Sequence, residues 1–121
     1  MRLAGESCLR AGAGLVTVAT ARENINAIVA GRPELIVHAV DDAGELGPLL
    51  AAASVVAVGP GLGQSDWAAA VLERVLLSGK PLVIDADALN LLARQGRPAP
   101  VGCSATVQRT CRPIAWRRCR R

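Results

Sequence analysis

A run of small and β-branched apolar residues at positions 55–58 ends abruptly in the sequence GPGLG at residues 59–63, which we call the glycine turn. A buried strand that ends in glycines and leads into an amphipathic helix is typical of ligand-binding turns in α/β proteins. Glycine tolerates positive φ angles and lets a ligand approach the backbone without a Cβ in the way. We therefore predict that the glycine turn borders a binding site.

Predicted strands and helices alternate along most of the chain. Short apolar runs rich in β-branched residues predict buried strands at residues 15–19, 35–39, 55–58 and 82–84. Helices are predicted at residues 22–30, from a cap at Ser65 to residue 78, and after Asp85. Apolar strands that alternate with helices are typical of a parallel sheet covered on both faces, so we expect an α/β fold.

A second polar segment, with the sequence DADALN at residues 85–90, follows the last predicted strand, and we call it the aspartate segment. Ligands of parallel sheets bind outside the carboxyl ends of the strands, so we expect this segment to lie beside the glycine turn. Asp85 and Asp87 offer carboxylates for a metal, for ligand hydroxyls or for acid–base catalysis. Capping of the last helix by Asp87 and Asn90 is the alternative interpretation.

Four segments occur in the order and at the spacing of one protein family: LRAGAGLVTVAT at 9–20, PEL at 33–35, VGPGLGQS at 58–65 and VIDADALNLL at 83–92. Through them, residues 4–95 resemble the ADP- or ATP-dependent NAD(P)H-hydrate dehydratases. This ribokinase-like domain is also found fused to NAD(P)H-hydrate epimerase. The GPGLG and DADALN motifs together are specific to this family, whereas either motif alone would be weak evidence for it.

The resemblance implies a lyase that removes water from the S form of hydrated NADH or NADPH, at the expense of ADP or ATP and with Mg²⁺. It also implies an incomplete three-layer ribokinase-like sandwich with a mostly parallel sheet. The parent enzyme is expected to be a homo-oligomer whose partners are NAD(P)H hydrate and the nucleotide. The substrate-binding residues that the resemblance implies are Gly59, Gly61, Gly63, Asp85, Asp87 and Asn90, with Gly63 the first choice.

Several motifs that complete the family pattern are not found in this sequence. The family continues with a Thr-Pro-His-Pro-Gly-Glu motif, a lysine-glycine nucleotide loop and a Gly-Thr-Gly-Asp motif, whose aspartate is the principal catalytic group. We therefore expect the chain to be the middle of the domain, to hold no catalytic residue and to be inactive alone. Such a piece would leave strand edges unpaired and an apolar face uncovered.

The charge distribution divides the chain near Arg94. Residues 1–93 contain six Lys and Arg and ten Asp and Glu, whereas residues 94–121 contain eight Arg and no acidic residue. Blocks of like charge are typical of tails rather than of packed structure. We therefore predict a partial dehydratase domain at 1–95 and a basic, Cys- and Arg-rich tail at 96–121, either disordered or translated from a shifted reading frame.

The cysteines and the apolar segments limit the remaining classes. Cys103, Cys111 and Cys119 lie eight residues apart without a close ligand pair, which disfavours zinc, and Cys8 is expected to be buried. No stretch reaches the roughly 20 apolar residues of a membrane span, and no signal peptide is legible. We therefore expect a cytoplasmic protein that does not act on membranes.

Two alternatives from other functional classes stay open. The ribokinase fold also occurs in small-molecule kinases, for example kinases of vitamin precursors. A kinase would differ from a dehydratase in the C-terminal half of the domain, whose motifs are not found in this sequence. The second alternative is a non-enzymatic protein, either an inert product of a broken gene or a nucleic-acid binder acting through its basic tail. A tail with one aromatic residue and no known binding fold disfavours nucleic acid as a partner.

Overall fold

The computed structural model describes residues 1–96, so the predicted tail beyond Gly96, with its three cysteines, lies outside the described residues. The helices are α1 (Arg2–Arg10), α2 (Ile25–Val29), α3 (Leu46–Ala52), α4 (Asp66–Leu76) and α5 (Ala86–Arg94). The strands are β1 (Thr17–Thr20), β2 (Ile36–Ala39), β3 (Val56–Val58) and β4 (Leu82–Ile84). None of the helices within residues 1–96 combines the length and the apolar character needed to cross a membrane.

The strands form two parallel pairs, β1 with β2 and β3 with β4. In the second pair Val56 is aligned with Leu82, and Val58 with Ile84. Parallel neighbours require a crossover connection, and helices α2 and α4 provide it for the two pairs. The predicted α/β class with parallel strands is confirmed, and the carboxyl ends of β3 and β4 lie side by side.

Part of the strand surface is open to solvent in the described part of the chain. Ile36 in β2 is 43% exposed and Val55 before β3 is 58% exposed. Ala57, in the middle of β3, is also exposed. The prediction of a sheet covered on both faces therefore does not hold within residues 1–96, and these exposed apolar residues agree with the expected uncovered apolar face.

The main hydrophobic core lies between the β3–β4 pair and helices α3, α4 and α5. Leu72 of α4 and Ile84 of β4 are completely enclosed, and Leu62 of the glycine turn belongs to the same cluster. A smaller second cluster joins Val18, Ile28 and Leu35, beneath β1 and α2. The glycine turn is therefore fixed to the larger core through one leucine side chain.

Helix α1 packs on the smaller core through a glycine, and this geometry places Cys8 outside. Gly5 is the buried residue of α1, and a Cβ built on it would lie 3.0 Å from the Leu35 side chain. Cys8 lies elsewhere on the helix and is exposed. The prediction of a buried Cys8 is wrong, because Gly5 occupies the inward position of α1, where close contact with Leu35 and Val18 requires the smallest residue.

Glu6 links α1 to the segment that precedes β2. Its Oε1 atom accepts a hydrogen bond of 2.8 Å from Arg10 and another from Arg32. The hydrogen bond from Arg32, helped by the charges of both guanidinium groups, lowers the pKa of the Glu6 carboxyl below its ordinary value. The carboxylate form of Glu6 is therefore favoured by folding.

We expect Glu6→Gln to cause a small loss of stability at neutral pH and to reduce the dependence of Tm on acid. The pKa of Glu6 is lower in the folded chain, so its contribution is present above the unfolded value of about 4.3. That contribution is lost as the pH falls through the lowered folded value. Tm measured from pH 7 to pH 3 tests this, with the exposed Glu23→Gln as the matched control. An unchanged acid profile in Glu6→Gln would contradict the expectation.

Candidate functional site

The glycine turn leaves β3 and passes directly against the start of α5. Gly59, Gly61 and Gly63 have φ angles of 129°, 68° and 79°. A Cβ on Gly59 would lie 2.7 Å from the carbonyl carbon of Asp85 and closer still to its oxygen. Only glycine fits at position 59, because both the backbone angle and the neighbouring strand end exclude a side chain.

Gly61 and Gly63 differ from Gly59 in their exposure. Gly59 is buried, whereas Gly61 and Gly63 are exposed. A Cβ on Gly63 would meet no heavy atom within 4 Å. The positive φ alone therefore explains why this position is a glycine. The turn therefore has one glycine that fixes it to the fold and two whose backbone is accessible to a ligand.

A hydrogen bond joins the glycine turn to the aspartate segment. The Gly63 N–H donates to Oδ2 of Asp87 at 3.0 Å. The Asp85 N–H donates to the Val58 carbonyl oxygen, also at 3.0 Å. The two segments therefore lie together at the carboxyl ends of neighbouring parallel strands, which confirms the predicted juxtaposition.

Helix α5 is capped by Asp85. The Asp85 carboxylate accepts a hydrogen bond from the Ala86 N–H at 2.8 Å, and the extended backbone of Asp85 (φ −142°) is typical of an N-cap. Asp87 lies in the first turn of the helix and Asn90 follows one turn later. The alternative that Asp87 and Asn90 cap α5 is therefore wrong, because the helix already begins at Ala86, directly after Asp85.

Ala86 carries an unusual backbone conformation at the centre of the aspartate segment. Its φ of 43° lies in the left-handed region, and no other non-glycine residue among the described ones has a positive φ. Such a conformation costs about 1–3 kcal/mol and persists only when neighbours enforce it. The carboxylate of Asp85 and the close approach of Gly59 are the neighbours that hold Ala86 in place.

Helix α4 begins at Ser65, as predicted. The Ser65 hydroxyl accepts a hydrogen bond from the Ala68 N–H at 3.3 Å, and Asp66 lies in the first turn. The indole N–H of Trp67 donates to the Val40 carbonyl oxygen at 3.1 Å, just after β2. The helix start is thus anchored next to the glycine turn.

The side chains of the site offer groups that hydrogen-bond. Asp85 and Asp87 each accept a backbone N–H, while the half-buried Asn90 amide makes no hydrogen bond to another described residue. Within residues 1–96, no three side chains of His, Cys, Asp or Glu are grouped closely enough to hold a metal ion. The site therefore offers exposed glycine backbone, a carboxylate and an amide to a polar ligand.

A family profile described as NAD(P)H-hydrate dehydratase matches residues 1–107 of the sequence. The chain belongs to the NAD(P)H-hydrate dehydratase family. The resemblance seen in the GPGLG and DADALN motifs is thereby confirmed, and both motifs of this dehydratase-family chain lie at the site described above.

Two curated relatives illustrate the extent of the similarity. A bifunctional NAD(P)H-hydrate repair enzyme of Coxiella burnetii is 55% identical over 93 residues, which are 77% of this chain and 19% of that protein. An ADP-dependent (S)-NAD(P)H-hydrate dehydratase of Streptococcus thermophilus is 39% identical over 104 residues, 84% of this chain and 37% of the relative. The chain thus spans less than two fifths of either relative.

Solved structures establish the fold of this part of the dehydratase domain. A hypothetical protein of Streptococcus mutans has a TM-score of 0.74 and 36% identity, over 84% of this chain and 37% of that structure. A ribokinase-like superfamily protein of Enterococcus faecalis has a TM-score of 0.73 and 32% identity, over 78% and 34% of the two chains. The expected incomplete ribokinase-like α/β fold is therefore confirmed.

Proposed function

We propose that this chain forms one wall of a cleft that binds the S form of hydrated NADH or NADPH, in an enzyme that dehydrates it with a nucleotide co-substrate. The hydrogen bond between Gly63 and Asp87 carries the proposal, because it brings the two family motifs together at the ligand-binding edge of the sheet. The names of relatives support the substrate and favour ADP as the nucleotide.

The predicted substrate-binding residues have different roles in this proposal. Gly61 and Gly63 approach the hydrate, because their backbone is exposed and carries no side chain. Asp87 positions the turn through the Gly63 N–H, and Asn90 offers a free amide to the ligand. Gly59 and Asp85 act indirectly, because they hold β3, the glycine turn and α5 together.

These residues bind and orient the ligand, and the described residues do not supply the chemical step. Removal of water requires a group that protonates the departing hydroxyl and a nucleotide that drives the reaction. Mg²⁺ is part of the proposal only as the companion of the nucleotide phosphates, since magnesium usually combines one or two carboxylates with substrate phosphates. The described residues provide no three-ligand group for it.

We expect the 121-residue chain to catalyse no dehydration of hydrated NADH in the presence of ADP and magnesium. The sequence lacks the nucleotide loop and the motif that carries the family's principal catalytic aspartate. The assay follows the recovery of absorbance in the NADH band against a sample without protein. Recovery faster than in that control would contradict the expectation.

Asp87→Ala is expected to weaken the binding of hydrated NADH about tenfold, because the turn loses a hydrogen bond to a charged acceptor. Asp87→Asn should bind within about threefold of the wild type, because the amide oxygen of asparagine also accepts the Gly63 N–H. Isothermal titration calorimetry gives the affinities, and thermal unfolding shows whether each variant is folded.

Asp66→Ala is the matched control for Asp87→Ala. Asp66 occupies the first turn of α4, as Asp87 occupies the first turn of α5, and lies just beyond the same glycine turn. The control removes the same charge without removing a bond to Gly63, so its affinity should stay near that of the wild type. Equal losses in Asp66→Ala and Asp87→Ala would show a general charge effect and contradict the positioning role.

A further inference from the structure

A cavity of about 320 Å³ lies where the end of β1, the segment of α2 and the glycine turn meet. It is lined by Met1 and Arg2, by Thr20 and Gly61, and by residues of the segment 24–28. It shares Gly61 with the proposed substrate wall and otherwise uses none of the predicted site residues. The cavity therefore extends the cleft toward the β1–β2 pair.

Thr20 is the unexpected residue of this cavity. It is 2% exposed and is the one buried polar residue among those described. Its hydroxyl makes no hydrogen bond to another described residue, and no described side-chain oxygen is both unpaired and fully sealed from solvent. Thr20 therefore carries no penalty for an unmet hydrogen bond, and its hydroxyl can donate to a ligand that enters the cavity.

Arg2 supplies a positive charge to the same cavity. Its side chain lies against Gly31, where a Cβ would approach Arg2 Cδ within 2.7 Å. Arg2 forms no ion pair or hydrogen bond with another described residue, in contrast to Arg10, Arg22 and Arg32. Arg2 thus lines the cavity and has no acidic partner among the described residues.

The lining of the cavity matches a phosphate group. A guanidinium group and a hydroxyl are common donors to phosphate oxygens, and none of the acidic residues within positions 1–96 lines the cavity. Its volume is at the lower end of the roughly 300–1,000 Å³ of small-molecule pockets, so it would hold a phosphate ester with part of its sugar and not a whole dinucleotide.

We propose that this cavity is a phosphate subsite, in which the Thr20 hydroxyl and the Arg2 guanidinium bind a phosphate ester beside Gly61. This proposal rests on the proposed function for the identity of the molecule that carries the phosphate. That molecule is either the dinucleotide hydrate or the nucleotide co-substrate. In both cases Thr20 is a ligand-binding residue whose hydroxyl donates to the phosphate.

The test uses Thr20→Val in the full chain, with Thr17→Val as the matched control. Valine keeps the shape of threonine and removes the hydroxyl. Thr17 lies at the other end of β1, is exposed and does not line the cavity. Amide NMR spectra are recorded during titration with inorganic phosphate, ADP or hydrated NADH, and Tm is measured for each variant.

We expect phosphate compounds to shift the amides of Thr20 and Gly61, and Thr20→Val to weaken their binding about tenfold. Thr17→Val should bind like the wild type. Thr20→Val should also keep a Tm near that of the wild type, because valine has the shape of threonine and the hydroxyl makes no hydrogen bond to another described residue. Shifts with ADP alone would assign the phosphate to the co-substrate, and shifts with the hydrate alone would assign it to the dinucleotide.

Three results would overturn the subsite: no shift at Thr20 with any of the probes, unchanged binding in Thr20→Val, or a lower Tm in that variant. The last result would show that the hydroxyl has a structural role. If the hydrate shifts Gly63 while Thr20→Val binds normally, the subsite fails and the proposed function stands. If phosphate and ADP bind at Thr20 while the hydrate leaves Gly63 unchanged, the proposed function fails and the subsite stands.

Discussion

Gly59→Ala is expected to abolish stable folding of the chain. The added Cβ would overlap the carbonyl oxygen of Asp85, which belongs to the backbone and cannot rotate away. The variant also places an alanine at a φ of 129°, where side chains are strained. Relief requires β3 and β4 to separate beside the enclosed Ile84, so we expect a loss of at least about 4 kcal/mol. Such a loss approaches the whole stability of a small domain, about 5–15 kcal/mol.

Gly63→Ala is the control that separates the clash from the backbone strain. Gly63 has a positive φ of 79° but open space around its Cβ position, so its substitution should cost only about 1–2 kcal/mol. Urea unfolding followed by circular dichroism, together with the soluble fraction on expression, compares the two variants. Equal stabilities of Gly59→Ala and Gly63→Ala would contradict the close packing of the turn against α5.

Leu62→Ala is expected to destabilise the chain by about 2–5 kcal/mol and to loosen the glycine turn. Leu62 is 5% exposed and packs in the main core with the residues of α4 and α5. Its side chain anchors a turn in which the flanking glycines contribute no side-chain contacts. Removing the side chain therefore leaves a cavity beneath the site and frees the backbone of Gly61 and Gly63.

Leu77→Ala is the matched control for Leu62→Ala, because Leu77 is 73% exposed and should change the stability by less than about 0.5 kcal/mol. Denaturant unfolding gives both free energies of unfolding, and hydrogen exchange of the Gly63 amide reports on the turn itself. Slow exchange at Gly63 in Leu62→Ala, as in the wild type, would contradict the anchoring role.

The sequence predicted the arrangement of the strands and the neighbourhood of the two motifs because local chemistry and global fold agree there. The apolar run 55–58 and the glycines after it define a strand and its end, and Ser65 starts a helix in the structure as in the pattern. Parallel pairing then places the glycine turn beside the aspartate segment, which the Gly63–Asp87 bond confirms.

Other features depend on tertiary contacts that leave no periodic signal. The exposure of Cys8 follows from the packing of Gly5 on Leu35, and the position of the Asp87 carboxylate follows from its hydrogen bond with the Gly63 N–H. Thr20 resembles any other threonine of a strand until α2 and the glycine turn enclose it. These residues become informative only when distant segments are brought together.

The most direct test of the proposed substrate wall is an amide NMR titration of the 121-residue chain with hydrated NADH. The account predicts that the largest chemical-shift changes occur at Gly61, Gly63, Asp87 and Asn90, and that they saturate with ligand concentration. The exposed helix residues on the far side of α4, such as Glu73, should not shift. Changes confined to other regions, or no change at Gly61 and Gly63 at saturating ligand, would contradict the account.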